Sequence, residues 1–220
     1  MAKIRGVILD VDGTLVESND AHAKSWVEAM AEYGYNVPYE KVRPLIGMGG
    51  DKVLPETIGV EKDSEPGKKI SQRRAEILKE RYLPTMRAFP QADELLRRMR
   101  SDGLKLAVAS SAQPDELKAL LGKVGASDLI EEETSSKDAQ SSKPDPDIMQ
   151  VTLQRIGLPA DEVVMLGDTP YDIEAARKVG VGTIALRCGG WNDNDLAGAI
   201  AIYNDPADLL AHYDSSPLRS

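Results

Sequence analysis

From residue 85 onward, short apolar runs alternate with helix-period segments, which is how a parallel sheet with helices over its faces reads in sequence. Strands are expected over 104–109, 128–130, 162–166, 181–186 and 200–203, and helices over 90–100, 114–123, 145–156, 170–179 and 206–212. Gly103 stops the first of these helices, and Pro114 stands at the first turn of the second, where a missing N–H does no harm. One further apolar run, Gly6-Val7-Ile8-Leu9, lies near the amino end. Between it and residue 85 the pattern changes to helix after helix, over 21–33, 39–46, 51–58 and 67–81, with Gly47-Met48-Gly49-Gly50 as the plainest breaker. The polar stretch 134–143 reads as loop and 214–220 as a frayed tail.

This organisation makes the fold class α/β: a Rossmann-like parallel sheet core flanked by helices, with an inserted helical cap domain. The core is expected to take residues 1–18 and 85–220 and the cap residues 19–84. A chain of 220 residues is long enough to bury both. Its net charge of −9 offers no extended basic field, which argues against nucleic acid and anionic membrane as partners. The short basic cluster Lys68, Lys69, Arg73 and Arg74 reads as the solvated face of a helix. A single cysteine, Cys188, fits a reducing compartment, and no apolar segment approaches the length of a membrane span or a signal peptide, so a soluble, cytoplasmic protein is expected.

The chemistry is concentrated at the ends of the apolar runs. The first run leads into Asp10-Val11-Asp12-Gly13-Thr14-Leu15, and the period of two puts Asp10 and Asp12 on the same side, facing the crevice where open parallel sheets bind ligands. The run 104–109 leads into Ser110 and Ser111, which offer hydroxyl and backbone N–H donors at the same edge, although a serine pair before a helix also reads as a simple cap. The run 162–166 leads into Gly167-Asp168-Thr169-Pro170-Tyr171-Asp172. Asp168 and Asp172 could be no more than a cap and a first-turn charge, but that does not explain why they share a sheet edge with Asp10 and Asp12. Lys143, framed by Pro144 and Pro146, would aim an ammonium at these acids. Carboxylates so crowded require a cation, and an all-oxygen donor set without histidine or cysteine points to Mg²⁺. Magnesium and lysine opposite a carboxylate nucleophile suit phosphoryl transfer.

With these residues the chain resembles the haloacid dehalogenase superfamily, in its phosphoglycolate phosphatase and β-phosphoglucomutase-like branch, over nearly its whole length. The four motifs stand in order: D-V-D-G-T-L at Asp10, A-S-S at Ser110, S-K-P-D-P-D at Lys143 and G-D-T-P-Y-D at Asp168. The resemblance implies a phosphatase acting on a small phosphorylated metabolite. Asp10 would be the nucleophile that becomes an aspartyl-phosphate, and Asp12 the general acid and base. Mg²⁺ would be bound by Asp10, Asp168 and the backbone carbonyl of Asp12, with Asp172 a direct or water-mediated partner. Ser110, Ser111 and Lys143 would bind the phosphoryl oxygens, and Gly13 would let backbone N–H groups approach them. Retention of Asp12 favours phosphate esters over carbon–halogen or carbon–phosphorus bonds.

The helical segment resembles that family's small cap, whose closure expels water. His22 stands where mutase-like relatives carry a histidine that times proton transfer by Asp12, and it reads equally as a partly buried polar residue. The Gly47–Gly50 loop resembles the cap loop that reaches into the crevice, but glycine stands where relatives acting on hexose phosphates carry arginine. Lys52, close by, is a candidate for an anionic part of the substrate and also reads as a surface lysine. Cys188, Trp26, Trp191 and His212 are expected to do nothing chemical. Two rival readings are a phosphomutase and, in another class, a module in which phospho-Asp10 is a slow regulatory signal.

Overall fold

The computed structural model describes residues 3–219. Six parallel strands form one sheet: β1 (Gly6–Leu9), β2 (Lys105–Ala109), β3 (Glu132–Thr134), β4 (Val163–Gly167), β5 (Gly182–Leu186) and β6 (Ala201–Tyr203). They lie in the order β3-β2-β1-β4-β5-β6. Chain order runs outward from β1 through β2 to β3 and then returns to β4 on the other side. The switch point therefore falls between β1 and β4, and there the carboxyl ends part to leave a ligand crevice.

The central strands are apolar throughout because they are covered on both faces. Their period of two sorts the side chains between two cores. Val7, Leu9, Leu106, Val108, Val164 and Leu166 join one cluster, and Ile8, Ala107 and Met165 join the other. Helices α5 (Ala92–Ser101), α6 (Pro114–Val124) and α9 (Pro206–Ala211) cover the first face. The second is covered by α7 (Asp147–Ile156) and α8 (Pro170–Lys178).

Before β2 come α1 (Asn19–Glu32), α2 (Tyr39–Val42), α3 (Gly50–Ile58) and α4 (Glu65–Ile77). They enclose a third apolar cluster of their own, with Trp26, Met30, Leu54 and Ile70 at its centre. The helix expected over 39–46 tightens to a 3₁₀ turn at Arg43–Leu45, where Pro44 has no N–H to give. Helix α4 starts two residues early under a Ser64 cap and runs on as a π-helical stretch, Leu78–Tyr82.

Two expectations need correction. Residues 128–130 are not a strand: a 3₁₀ turn occupies Ser127–Leu129, and the strand is β3. This strand lies at the sheet edge and is only partly covered, so acidic residues stand there, while Leu129 and Ile130 pack on the core from the turn before it. The tail is not frayed as far as Arg219, because Tyr213 and Leu218 are buried in the larger core and the Arg98 guanidinium lies 4.8 Å from the Tyr213 ring centre. Among the described residues, no helix is long and apolar enough to cross a membrane.

Candidate active site

The chain leaves β1 through Asp10, whose N–H still joins the ladder at Leu166 O (2.9 Å), and then folds into a tight turn. In that turn the N–H groups of Thr14, Leu15 and Val16 converge on Val11 O. Gly13 has φ +77°, and a Cβ there would sit 2.1 Å from Asn19 Nδ2 and 2.3 Å from Asp168 Oδ2. Glycine is thus required by the protein's own packing. Its N–H donates to Val16 O (2.8 Å). Its own N–H is thus spent on closing the turn, while its missing Cβ lets neighbouring groups come close.

Asp168, at the end of β4, is fully buried. Thr14 Oγ1 donates to its Oδ1 (2.8 Å) and Asn19 Nδ2 to its Oδ2 (2.9 Å). Gly189 closes over the same carboxylate so tightly that a Cβ would lie 1.8 Å from Oδ2. Burial and the Asp172 charge push the Asp168 carboxyl up to about 7, against the lowering effect of those two hydrogen bonds.

Asp172 forms a capping box with Thr169 at the start of α8, and its Oδ2 accepts from Thr169 N and Oγ1. Its Oδ1 accepts from Lys143 Nζ at 2.6 Å. The same ammonium donates to Asp10 Oδ1 at 2.5 Å, and the side chain is 1% exposed. Oxygens of Asp10, Asp168 and Asp172 lie within 4.8 Å of one another. Burial raises Asp10 well above the ordinary carboxylate range, Lys143 pulls it down, and the other aspartates push it up again. The Lys143 ammonium is itself driven well above its usual value, since the two carboxylates outweigh its own burial.

Asp12 sits in a different field. Its Oδ1 accepts from Ser18 Oγ (2.5 Å) and lies 2.6 Å from His22 Nε2. Burial alone would raise this carboxyl, but His22, Ser18 and Arg74 together hold it below the usual range. Arg74 Nη2 donates to His22 Nδ1, which leaves the ring's Nε2 proton directed at Asp12. Arg74 Nη1 also donates to Glu116 Oε2 (2.8 Å), and its guanidinium lies 5.4 Å from the Trp26 ring centre.

Asp10, Asp12, His22, Trp26, Arg74, Ser111 and Glu116 line one crevice of about 60 Å³, which the Ile46–Gly50 segment closes from above. The closing loop is fastened to the core: Gly49 N–H donates to Ser142 Oγ (2.9 Å) and Ser142 N–H to Asp51 Oδ2 (3.1 Å).

The sequence-predicted residues Asp10, Asp168, Asp172 and Lys143 are thus brought together, and Asp12 and His22 meet beside them. Of the serine pair, Ser111 reaches the crevice and its buried hydroxyl has no partner among the described residues. Ser110 is fully buried and its hydroxyl accepts from Ala112 N–H, which shapes the loop. Lys52 does not enter: its ammonium pairs with Asp145 (2.7 Å) at the rim, which corrects its candidacy. Arg74 is not solvated, as its helix had suggested, since its side chain is 13% exposed. Its position was legible, because Ile70, Arg74 and Ile77 fall on one helical face. Asn19 and Glu116 carried no comparable signal, each reading as an ordinary first-turn residue.

A family model described as haloacid dehalogenase-like hydrolase matches residues 7–186. A phosphoglycolate phosphatase of Yersinia pestis is 30% identical over 215 residues, which cover 96% of this chain and 90% of that protein. Another, from Rhodospirillum rubrum, is 27% identical over 216 residues, with coverage of 93% and 89%. The crystal structure of a hydrolase from Pseudomonas syringae superposes with a TM-score of 0.88 at 30% identity, covering 96% of this chain and 98% of that one. The chain belongs to the haloacid dehalogenase-like hydrolase family and is an enzyme of its phosphatase type.

Proposed function

We propose that the protein is a Mg²⁺-dependent phosphatase that hydrolyses a small phosphate monoester through an aspartyl-phosphate on Asp10. The observation that carries this reading is Lys143 held between Asp10 and Asp172, with Asp168 closing a buried carboxylate group at the β1/β4 switch point. One ammonium does not balance this group, and an all-oxygen donor set suits a hard divalent cation. Asp10, Asp168 and the backbone carbonyl of Asp12 would hold the ion. Asp172, whose Oδ1 accepts from Lys143 and Oδ2 from Thr169, would be a direct or water-mediated partner of the ion. Bound there, Mg²⁺ would neutralise the phosphoryl oxygens.

Asp10 attacks phosphorus, and its new O–P bond forms as the ester P–O bond breaks with its electrons on the leaving oxygen. Asp12 gives that oxygen a proton. It then takes one from the water that attacks the phosphorus of the aspartyl-phosphate, which releases inorganic phosphate and restores Asp10. Asp12 stands ionised in the closed site, where the Nε2–H of the neutral His22 ring holds it in place. An arriving phosphate dianion raises Asp12's affinity for a proton, which water supplies while the cap is open. Lys143 and Ser111 would hold the phosphoryl oxygens as charge shifts between them.

Residues 19–84 act in this scheme as a cap on a core formed by 1–18 and 85–220, and the cap opens to admit substrate. The crevice between these segments is narrow, about 60 Å³, which supports a small leaving group. The phosphoglycolate named for the relatives is of that size class.

Chelation tests the metal requirement. EDTA-treated protein should lose at least about nine-tenths of its 4-nitrophenyl phosphatase activity, and Mg²⁺ should restore it while raising the melting temperature of the substrate-free protein. Full turnover after metal removal would contradict the assignment.

A further inference from the structure

Taking the phosphatase reading as given, we propose that Asp51, assisted by Lys52, is a positioning residue of the cap: it grips the loop that carries Lys143, so that this ammonium is aligned on Asp10 only while the cap is closed. Lys143 stands in the run Ser142-Lys143-Pro144-Asp145, and the start of α3 takes hold of that run on both flanks of the lysine. On one flank Ser142 N–H donates to Asp51 Oδ2 (3.1 Å) and Gly49 N–H donates to Ser142 Oγ (2.9 Å). On the other, Lys52 Nζ donates to Asp145 Oδ2 (2.7 Å). Both of those side chains are about one-third exposed, so this tie adds less than the grip on Ser142.

The contact depends on a close fit. A Cβ at Gly49 would lie 2.6 Å from Asp51 Oδ1 and 2.9 Å from Ser142 Cβ, so only glycine lets the cap backbone reach the loop. Gly49 and Asp51 together present one donor and one acceptor to the hydroxyl and the N–H of a single residue, which fixes its orientation as well as its distance. The core ties the same loop elsewhere: Ser141 N–H donates to Asp147 Oδ2 (3.0 Å) and Lys178 Nζ to Pro144 O (2.8 Å). Ser142 N–H, on the residue next to Lys143, has no acceptor but Asp51 among the described residues.

Alignment is exacting at this point, because Lys143 Nζ meets Asp10 and Asp172 together, at 2.5 and 2.6 Å. A displacement of about 1 Å at a reacting centre costs on the order of 100-fold in rate. An opening cap takes Gly49, Asp51 and Lys52 away with it, and Ser142 N–H turns to water. Closure therefore does two things at once: it encloses the substrate, and it tightens the loop whose lysine binds the phosphoryl group. A contact that served only to fasten the cap needs no particular place on the core rim, as the bond from Tyr171 Oη to Pro44 O (2.6 Å) illustrates. The Asp51 and Lys52 contacts instead bracket Lys143.

The test is a double-mutant cycle on the melting temperature of the metal-free protein, with Asp51→Ala, Lys143→Met and the two combined. Because Asp51 acts through Lys143, the double variant should melt about 3–6 °C above the value given by adding the two single losses. Losses that add would overturn the proposal. Kinetics decide the matter even where Lys143→Met fails to fold. With magnesium-loaded protein and 4-nitrophenyl phosphate, Asp51→Ala should lower kcat by on the order of 10- to 100-fold. Asp51→Asn, which keeps an oxygen for Ser142 N–H, should recover most of that loss. Tyr171→Phe, which removes a cap fastening away from the Lys143 loop, should lower kcat by no more than about 3-fold. An undiminished kcat in Asp51→Ala would overturn the proposal, as would equal losses in Asp51→Ala and Tyr171→Phe. Failure of the wild type to hydrolyse 4-nitrophenyl phosphate would overturn the phosphatase reading and the catalytic role of the grip with it. Additive melting losses beside brisk hydrolysis contradict the grip alone.

Discussion

Lys143→Met is expected to lower the melting temperature of the metal-free protein by roughly 6–20 °C and to abolish turnover. Nζ lies 2.5 Å from Asp10 and 2.6 Å from Asp172, all three side chains are at most 6% exposed, and no other lysine or arginine donates to Asp10 or Asp172 among the described residues. Breaking a buried ion group by removing one partner destabilises by about 3–5 kcal/mol, and each kcal/mol is about 2–4 °C for a domain of this size. The loss has a pH signature. The Lys143 ammonium is held above its ordinary value, so its stabilisation is present throughout the neutral range and is lost only as pH climbs through the raised value. The variant lacks the one group that pulls Asp10 down. A carboxyl with a folded pKa above its unfolded one binds more protons in the native state, so stability falls as pH rises from the ordinary carboxylate range through the raised one. The deficit of Lys143→Met should therefore be smaller at about pH 5 than at about pH 8. Melting curves at the two pH values check it, and a deficit independent of pH would contradict the assignment.

Asp10→Asn should reduce kcat by on the order of 10⁴-fold or more while leaving the fold intact. Its melting temperature without metal should equal or exceed that of wild type above neutral pH. The direction follows from burial, which makes the ionised Asp10 a destabilising group; that penalty is absent below its unfolded pKa and complete above the raised one. Asparagine keeps the shape and an acceptor for Lys143 while removing the charge. A stable but inactive variant is the pattern of a residue retained for chemistry at the expense of stability. An unstable one would mark Asp10 as structural.

Much of this site was legible because a parallel sheet gathers whatever follows its strands. Asp10 and Asp168 end adjacent strands, so their convergence follows from strand order, and Lys143 needed only a rigid approach between prolines. The helices and the central strands were equally readable, since burial on both faces makes those strands uniformly apolar. The edge strand β3 was not, because Glu132-Glu133-Thr134 lacks the apolar signal that full coverage imposes. Glu116 and Asn19 escaped for another reason, and Arg74 had only its inward helical face to mark it. Each acquires its role from a partner on a distant segment, Arg74 and Glu116 being 42 residues apart and Asn19 and Asp168 being 149 apart. Residue type alone assigns such polar side chains to solvent. Gly13 was noticed, and its freedom from a Cβ also serves the Asn19 and Asp168 side chains, while its N–H is committed within the turn.

The central claim is that Asp10 itself takes the phosphoryl group. Rapid mixing of magnesium-loaded protein with phosphate-labelled substrate, acid quench within the first turnover, and peptide mapping tests it directly. The label should appear on Asp10, decay at a rate compatible with kcat, and be missing in Asp10→Asn. Turnover with no covalent label, or with label on another residue, would contradict the account.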